Sequence, residues 1–276
     1  MVVRSGEFLS VVLARGLGRR MQEGDERAEL DPVQQRAATA GLKGMMPLGA
    51  TGRPFLDYVL SSLADAGCGD VILVVAPDHE AMRARYDPSR LSRVRVRFAV
   101  QPKPDGTARA LLAAEPLTGD RPFLVMNADN LYPVEVLRVL AELDGPAVPA
   151  FERARLVEES GFPESRVAQF AVLHVDSDGW LRGIEEKPDP RDLDLSGPRA
   201  LISMNVWRFD RGIFESCRDV PRSARGEFEL PQAVGLAVRR GARIRVVPAS
   251  GAVLDLSRRV DVAQVGARLA EWEPRM

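Results

Sequence analysis

Short apolar runs alternate with helical patterns through the first half of this chain. Val11-Val12-Leu13-Ala14 and residues 70–77 (DVILVVAP) have the length and composition of buried strands. Between them, residues 54–67 (PFLDYVLSSLADAG) carry apolar side chains at helical spacing and end at a glycine. Strands that alternate with helices form largely parallel sheets covered on both faces. The pattern therefore predicts an α/β fold: a mixed, mostly parallel sheet with helices on both faces.

The pattern changes after about residue 150. Residues 167–188 predict a β-hairpin that turns at Asp176–Gly179, and residues 200–209 (ALISMNVWRF) predict one strand. Residues 228–241 and 261–272 predict helices. No repeat or linker separates the two halves, so we predict a single domain over residues 1–276. Its first half would span about 8–150 and its second half about 151–276.

One stretch interrupts this regular order. Residues 22–41 are polar and weakly patterned, and we predict a loop or mobile flap there.

Composition excludes several classes of protein. The 276 residues carry a formal net charge of -1, whereas general nucleic-acid binders need a strong positive excess. No apolar run reaches transmembrane length, and no signal peptide is recognisable at the start. The two cysteines match no metal or redox spacing. We therefore expect a cytoplasmic protein that binds neither nucleic acid nor a membrane.

A glycine-rich turn follows the first strand and carries three arginines. Residues 15–20 read Arg-Gly-Leu-Gly-Arg-Arg, directly after the apolar run. Glycines between a strand and a helix expose backbone N–H groups that favour an anion. The Walker A ending Gly-Lys-Ser/Thr is absent, and Met21 occupies the place of the third glycine in the dinucleotide fingerprint. These residues therefore leave two interpretations open: a phosphate-binding turn of another kind, or a plain tight turn.

The turn resembles a known signature. Residues 13–21 (LARGLGRRM) are similar to L-A-x-G-x-G-x-R-M of sugar-1-phosphate nucleotidyltransferases, the group of glucose-1-phosphate uridylyl-, thymidylyl- and adenylyltransferases. Further segments resemble the family's motifs in the expected order, over roughly residues 8 to 265. They are Lys43–Pro47 (K-x-L-L-P), Gly52–Leu56 (G-x-P-x-I/L), Gln101–Ala108 (Q-x4-G-T-A), Asn127–Asn130, Glu186-Lys187-Pro188, Ser203–Asn205, Gly226–Glu227 and Asp255.

The resemblance implies a Rossmann-like (GT-A-like) catalytic domain without the β-helix extension of some relatives. It implies attack by a sugar-1-phosphate oxygen on the α-phosphorus of a nucleoside triphosphate, with release of pyrophosphate. Arg20 would hold the β- and γ-phosphates and Lys43 the α-phosphate, as the two catalytic residues. Asp129 and Asp255 would bind Mg²⁺, a hard cation that takes few carboxylates beside phosphate oxygens.

The remaining site residues follow from the same resemblance. Those expected to bind the nucleotide are Leu13, Ala14, Gly16, Gly18, Gln101, Gly106 and Thr107. Those expected to bind the sugar phosphate are Glu186, Lys187 and Asn205.

The chain also departs from the family's pattern. Arg15 and Arg19 stand where many relatives have smaller residues, Ala128 replaces a glycine, and the stretch between Arg20 and Lys43 is longer than usual. Two alternatives stay open: a non-catalytic relative that binds nucleotide or sugar phosphate, and a cytidylyltransferase for phosphocholine or an alditol phosphate. The residues leave open the base, the sugar and the oligomeric state, a homo-oligomer included.

Overall fold

The computed structural model describes residues 8–25, 27–186 and 197–276. Lys187 lies outside the described residues. The strands are β1 (Phe8–Leu13), β2 (Pro47–Leu48), β3 (Arg53–Pro54), β4 (Cys68–Val75), β5 (Arg95–Val100), β6 (Phe123–Asn127), β7 (Asn130–Leu131), β8 (Ala147–Glu152), β9 (Ala171–Val175), β10 (Leu181–Glu185), β11 (Leu201–Ser203), β12 (Trp207–Phe209), β13 (Arg245–Ala249) and β14 (Leu254–Asp255).

Helices cover the sheet and connect its strands. The α-helices of the described residues are α1 (Arg19–Gln22), α2 (Pro32–Thr39), α3 (Phe55–Asp65), α4 (Glu80–Arg85), α5 (Thr107–Thr118), α6 (Val134–Glu142), α7 (Arg153–Ser160), α8 (Glu164–Val167), α9 (Ile213–Asp219), α10 (Leu230–Arg239) and α11 (Asp261–Arg268). Short 3-10 turns lie at Lys43–Met45 and Pro88–Arg90. None of these described helices is both long and apolar enough to cross a membrane.

Ten of the described strands form one mixed sheet, which confirms the predicted fold class. Their order is β10-β9-β11-β8-β12-β6-β1-β4-β5, and β13 pairs with β8. The pairings make β1, β4, β5, β6, β8, β9 and β13 point one way and β10, β11 and β12 the other. Within this sheet, strands β1, β4, β5 and β6 of the first half pair in parallel, as their continuous apolar runs predict.

Each face of the sheet packs against its own set of helices. Along β1, Leu9 and Val11 pack on one side and Val12 on the other, which is the alternation of a strand buried on both faces. Side chains of α3, α6, α7, α8 and α11 share a cluster with Val12, while those of α5, α9 and α10 share one with Leu9 and Val11. The sheet, which contains strands from both halves of the chain, is therefore covered by helices on both faces.

Three further predictions have clear outcomes. The hairpin is confirmed, because β9 and β10 are antiparallel neighbours. The predicted single strand at 200–209 is wrong: it divides into β11 and β12, because Asn205 takes a positive φ of 59° between them.

The predicted loop at 22–41 is also wrong, because part of it forms helix α2. Asp31 Oδ1 accepts hydrogen bonds from the backbone N–H groups of Val33 and Gln34, at 2.7 and 2.8 Å. Gln34 Oε1 accepts from Asp31 N at 3.1 Å, so both halves of a capping box are present ahead of Pro32. Capping and proline supply a helix start that the weak hydrophobic pattern did not reveal.

Candidate active site

A cleft of about 340 Å³ lies at the carboxyl ends of β1 and β6. These strands are parallel, so the segments that follow Leu13 and Asn127 meet at one edge of the sheet. Among the predicted site residues, the cleft is lined by Leu13, Ala14, Gly16, Gly18, Arg20, Lys43, Gln101, Gly106, Thr107 and Asp129. The structure thus brings together both predicted catalytic residues and every predicted nucleotide-binding residue.

The arginine-rich turn is held by a close approach of two glycines. Gly18 has a φ of 61°, and a Cβ there would lie 2.3 Å from the carbonyl oxygen of Gly41. Gly41 has a φ of 69°, and its own Cβ would lie 2.3 Å from the carbonyl oxygen of Leu17. Glycine alone fits such a conformation and contact without strain. The segment before Lys43 is therefore packed directly against the turn.

The three arginines of the turn have different surroundings. Arg15 donates from Nε to the carbonyl oxygen of Gln101 at 3.3 Å, which ties the turn to the end of β5. The Arg19 guanidinium is 4.0 Å from a carboxylate oxygen of Glu227, on the other side of the cleft. Arg20 is exposed and lines the cleft. Its guanidinium is thus accessible to a phosphate, which its donor geometry suits.

Lys43 and Asp129 form a direct ion pair inside the cleft. Lys43 Nζ donates to Asp129 Oδ2 at 2.8 Å, and their side chains are only 19% and 24% exposed. Burial by itself lowers the pKa of Lys43, but the charge of Asp129 and the hydrogen bond to it outweigh burial and raise that pKa. The lysine is therefore a fixed positive charge at neutral pH.

Asp255, the second predicted metal ligand, stands beside Asp129. Strand β14 pairs with β7 so that Asp255 is opposite Asn130, and the N–H of Leu256 donates to the carbonyl oxygen of Asp129 at 2.9 Å. Burial, followed by the charge of Asp129, raises the pKa of Asp255. Asp255 does not line the cleft itself.

The two carboxylates fit the needs of Mg²⁺. The described residues contain no cluster of three or more His, Cys, Asp or Glu side chains able to hold a metal ion. Mg²⁺ keeps several waters and takes one or two carboxylates together with substrate phosphates, so a pair of aspartates suffices. Burial and then the charge of Asp129 raise the pKa of Asp255, and a divalent cation would relieve the second of these effects.

Sequence reasoning missed a residue that orients Asp255. Arg166, in α8, donates from Nη2 to Asp255 Oδ2 at 2.8 Å and from Nη1 to Asp261 Oδ1 at 2.7 Å. Ser257 Oγ donates to the other oxygen of Asp255 at 2.9 Å. Asp255 is thereby held in one orientation. No local pattern signals this contact, because Arg166 and Asp255 are 89 positions apart.

The segment from Gln101 to Thr107 forms another wall of the cleft. Gln101 Nε2 donates to Asp105 Oδ1 and to the carbonyl oxygen of Gly106, both at 3.1 Å. A Cβ at Gly106, which has a φ of 118°, would lie 2.2 Å from the carbonyl oxygen of Phe228. Thr107 Oγ1 accepts from Leu230 N at 2.8 Å. The amide nitrogen of Gln101 is therefore engaged within its own loop.

A smaller cavity of about 160 Å³ adjoins the cleft and shares Leu13, Thr107, Asn127 and Glu227 with it. It is lined by Glu186 and Asn205, two of the residues predicted to bind the sugar phosphate. Arg225 also lines it, 3.4 Å from Glu186 Oε2 and 3.8 Å from Glu229 Oε1. Sequence reasoning missed Arg225, although it directly precedes the Gly226-Glu227 motif. This cavity thus combines one cation, Arg225, with the Asn205 amide and three carboxylates, those of Glu186, Glu227 and Glu229.

The chain matches one family model and is similar in sequence to several named proteins. The model of the family described as nucleotidyl transferase matches residues 39–258. The UTP–glucose-1-phosphate uridylyltransferase AglF of Haloferax volcanii is 28% identical over 263 residues, covering 95% of this chain and 96% of that protein. A glucose-1-phosphate thymidylyltransferase of Streptomyces antibioticus is 29% identical over 81% of this chain, which spans 60% of that relative's length.

Solved structures share the fold. A UDP-glucose pyrophosphorylase, crystallised with UDP-glucose, superposes with a TM-score of 0.72 at 18% identity, over 95% of this chain and 98% of that one. At that identity the similarity supports the fold and not the substrate.

Proposed function

The chain belongs to the nucleotidyl transferase family, and on that basis we propose that it joins a nucleoside triphosphate to a sugar-1-phosphate. The products would be a nucleotide sugar and pyrophosphate. Relatives named as glucose-1-phosphate uridylyl- and thymidylyltransferases support this reaction class. The single observation that carries the proposal is that a cleft lined by Arg20, Lys43 and Asp129 opens beside a cavity lined by Glu186 and Asn205.

The reaction brings two polyanions together, so its main requirement is to neutralise charge and align the reactants. No covalent enzyme intermediate is needed when a phosphate oxygen attacks the α-phosphorus in line. Arg20 would bind the β- and γ-phosphates and stabilise the departing pyrophosphate, since a guanidinium matches two phosphate oxygens. Lys43 would bind the α-phosphate, where negative charge accumulates in the transition state.

Asp129 and Asp255 are the residues we propose to hold Mg²⁺. When bound, the ion would supply positive charge to the phosphate oxygens of the triphosphate. Arg166 would keep the Asp255 carboxylate in one orientation, through the contact of 2.8 Å. Lys43 is already paired with Asp129, so its ammonium can shift from carboxylate to phosphate within the same cleft.

The two halves of the chain would divide the substrates. Residues of about 8–150 would bind the nucleotide, with Leu13, Ala14 and Gly16 against the base, Gly18 near the phosphates, and Gln101, Gly106 and Thr107 at the base edge and ribose. Residues of about 151–276 would bind the sugar phosphate through Glu186, Lys187 and Asn205. To these we add Arg225, whose guanidinium lines the smaller cavity. We further propose a cytoplasmic protein that acts without nucleic acid or membrane.

A screen for pyrophosphate release tests the reaction. The purified chain is incubated with Mg²⁺ and each of ATP, CTP, GTP, UTP and dTTP, against a panel of sugar-1-phosphates, phosphocholine and an alditol phosphate. Release that requires one triphosphate and one sugar-1-phosphate is the expected result. Release only with CTP and phosphocholine or the alditol phosphate supports a cytidylyltransferase instead. Calorimetric binding of a triphosphate with no turnover supports a non-catalytic relative, and either result overturns the proposal.

A further inference from the structure

Asn205 is the one non-glycine residue of the described chain with a positive φ, at 59°. Its side chain is exposed and lines the smaller cavity, while Met204 and Val206 on either side are buried. Asparagine tolerates this left-handed conformation better than most residues, yet the conformation still costs free energy. Such strain persists where the surrounding structure imposes it and is often tied to function.

An irregularity of the sheet places Asn205 in that conformation. Ile202 of β11 is paired with Phe151 of β8, and Arg208 of β12 is paired with Ala147. Between these two pairs, the chain advances six residues from Ile202 to Arg208, while β8 spans only four from Ala147 to Phe151. Two extra residues of the β11–β12 segment therefore bulge out between the pairs. Both strands follow the same edge of β8, because β13 occupies the other. Bulges of this kind redirect a side chain, and here Asn205 is at the bulge.

Tyr132 holds the bulge from the other half of the chain. Its hydroxyl donates to the carbonyl oxygen of Met204 at 2.6 Å, a buried hydrogen bond across 72 positions. Tyr132 is 2% exposed, and its own carbonyl oxygen accepts from Ser62 Oγ at 3.3 Å. It follows Asp129 by three residues, beyond the short strand β7. The peptide that precedes Asn205 is thereby tied to the segment that carries the proposed metal ligand.

We propose that Tyr132 is a positioning residue for the sugar-1-phosphate. Its hydroxyl fixes the Met204 peptide, and with it the left-handed conformation that turns the Asn205 amide into the smaller cavity. The proposal rests on the function proposed above and adds a residue that no motif includes. Because Tyr132 and Asp129 share one segment, the hydrogen bond also keeps the sugar-binding amide at a set distance from the reacting phosphate.

A purely structural hydrogen bond would have a different kinetic signature. If Tyr132 only stabilised the fold, its loss would lower the melting temperature and leave the KM for both substrates unchanged. If it positions Asn205, its loss acts mainly on the sugar-1-phosphate, because the Tyr132 hydroxyl contacts the peptide next to Asn205 and not the residues proposed to bind the triphosphate. The two roles therefore separate in the KM values of the two substrates.

The test compares Tyr132→Phe with Tyr86→Phe in the whole chain, using the substrate pair found in the screen. Tyr86 is the matched control, because its buried hydroxyl donates to Asp57 Oδ1 at 2.8 Å and it lines neither cavity. We expect Tyr132→Phe to raise the KM for the sugar-1-phosphate about three- to tenfold, as loss of one buried hydrogen bond predicts. The KM for the triphosphate should stay within about twofold, and Tyr86→Phe should change neither.

A double-mutant cycle completes the test. Asn205→Gly keeps the left-handed backbone accessible and removes the amide, so it should raise the sugar-1-phosphate KM by itself. In that background Tyr132→Phe should have no further effect on this KM, because no amide is left to position. An unchanged sugar-1-phosphate KM in Tyr132→Phe, equal effects on both substrates, or independent effects in the cycle would each overturn the role of Tyr132. Absence of turnover by the unmodified chain would overturn the proposed function and this inference together.

Discussion

The Nζ atom of Lys43 lies 2.8 Å from Oδ2 of Asp129, although 86 positions separate the two residues. The ion pair connects the 3-10 turn at Lys43–Met45 to the residues that directly follow β6. Both side chains line the same cleft. In the proposed reaction, Lys43 would exchange this partner for a phosphate and Asp129 would exchange it for a metal ion. The finding makes the pair the first target for mutation.

Removing either partner of this pair should reduce turnover far more than it reduces folding. We expect Lys43→Met and Asp129→Asn each to lower kcat by about 10²- to 10³-fold, the effect of losing one preorganised charge contact in a transition state. Pyrophosphate release measures the rate, and thermal melting checks the fold. Arg211→Met, at an exposed arginine that pairs with Asp120 and lines neither cavity, is the control and should retain full activity. Full activity of the Lys43 variant would refute its proposed catalytic role.

The contact between Gly18 and Gly41 should be essential for triphosphate binding. Gly41→Ala would place a Cβ 2.3 Å from the carbonyl oxygen of Leu17 and must displace the turn. We expect the KM for the triphosphate to rise at least about tenfold, since misplacing binding groups by an ångström is costly. Gly67→Ala is the matched control: its φ of 92° is also positive, but nothing lies within 4 Å of the added Cβ. Equal kinetics in the two variants would contradict this prediction.

Arg225 should act on the sugar-1-phosphate and not on the nucleotide. We expect Arg225→Met to raise the KM for the sugar-1-phosphate about tenfold, because a charge-assisted contact to phosphate is lost. Initial rates at varied concentrations of each substrate separate the two KM values. Arg240→Met offers a control with similar chemistry, since Arg240 is half-exposed and also contacts two acids, Asp219 and Glu215. A triphosphate KM that rises as much as the sugar-1-phosphate KM would argue against this assignment.

Asp70 should contribute a pH-dependent part of the stability. Hydrogen bonding from Arg95, offset in part by burial and assisted by Arg121, lowers the pKa of Asp70 to about 2 from a usual 3.8. A lowered pKa stabilises the fold fully above the unfolded value, and this contribution is lost as the pH falls from about 4 to about 2. Because both arginines are partly exposed, we expect Asp70→Asn to cost only about 1–2 kcal/mol at pH 7.

Urea unfolding of the unmodified chain and of Asp70→Asn measures the difference between their free energies of unfolding. The gap between their unfolding free energies should be constant from pH 7 to pH 5 and shrink when the pH drops below about 4. A gap that is the same at pH 3 and pH 7 would show that the charge of Asp70 is not its source.

Local sequence patterns determined the fold class, and resemblance to family motifs supplied ten of the residues that line the cleft. Apolar runs and helical spacing predict the alternating strands and helices of the first half, and with them its parallel sheet strands. Each such run can be recognised from its own periodicity alone. The motifs around Gly18 and Gln101 are recognised by their resemblance to a family's signatures, which is possible because each motif occupies a few consecutive positions. The roles of these residues are the predictions to be tested.

Tertiary structure alone decided how distant side chains meet. Arg166 reaches Asp255, Tyr132 reaches Met204, and Arg225 lines the cavity of Asn205, none of which a local period reveals. The segment around Asn205 shows why. Residues 200–209 have the sequence pattern of one continuous strand, but pairing with β8 leaves two extra residues that must bulge. Strand register is a property of two chain segments together, so one segment's sequence could not specify it.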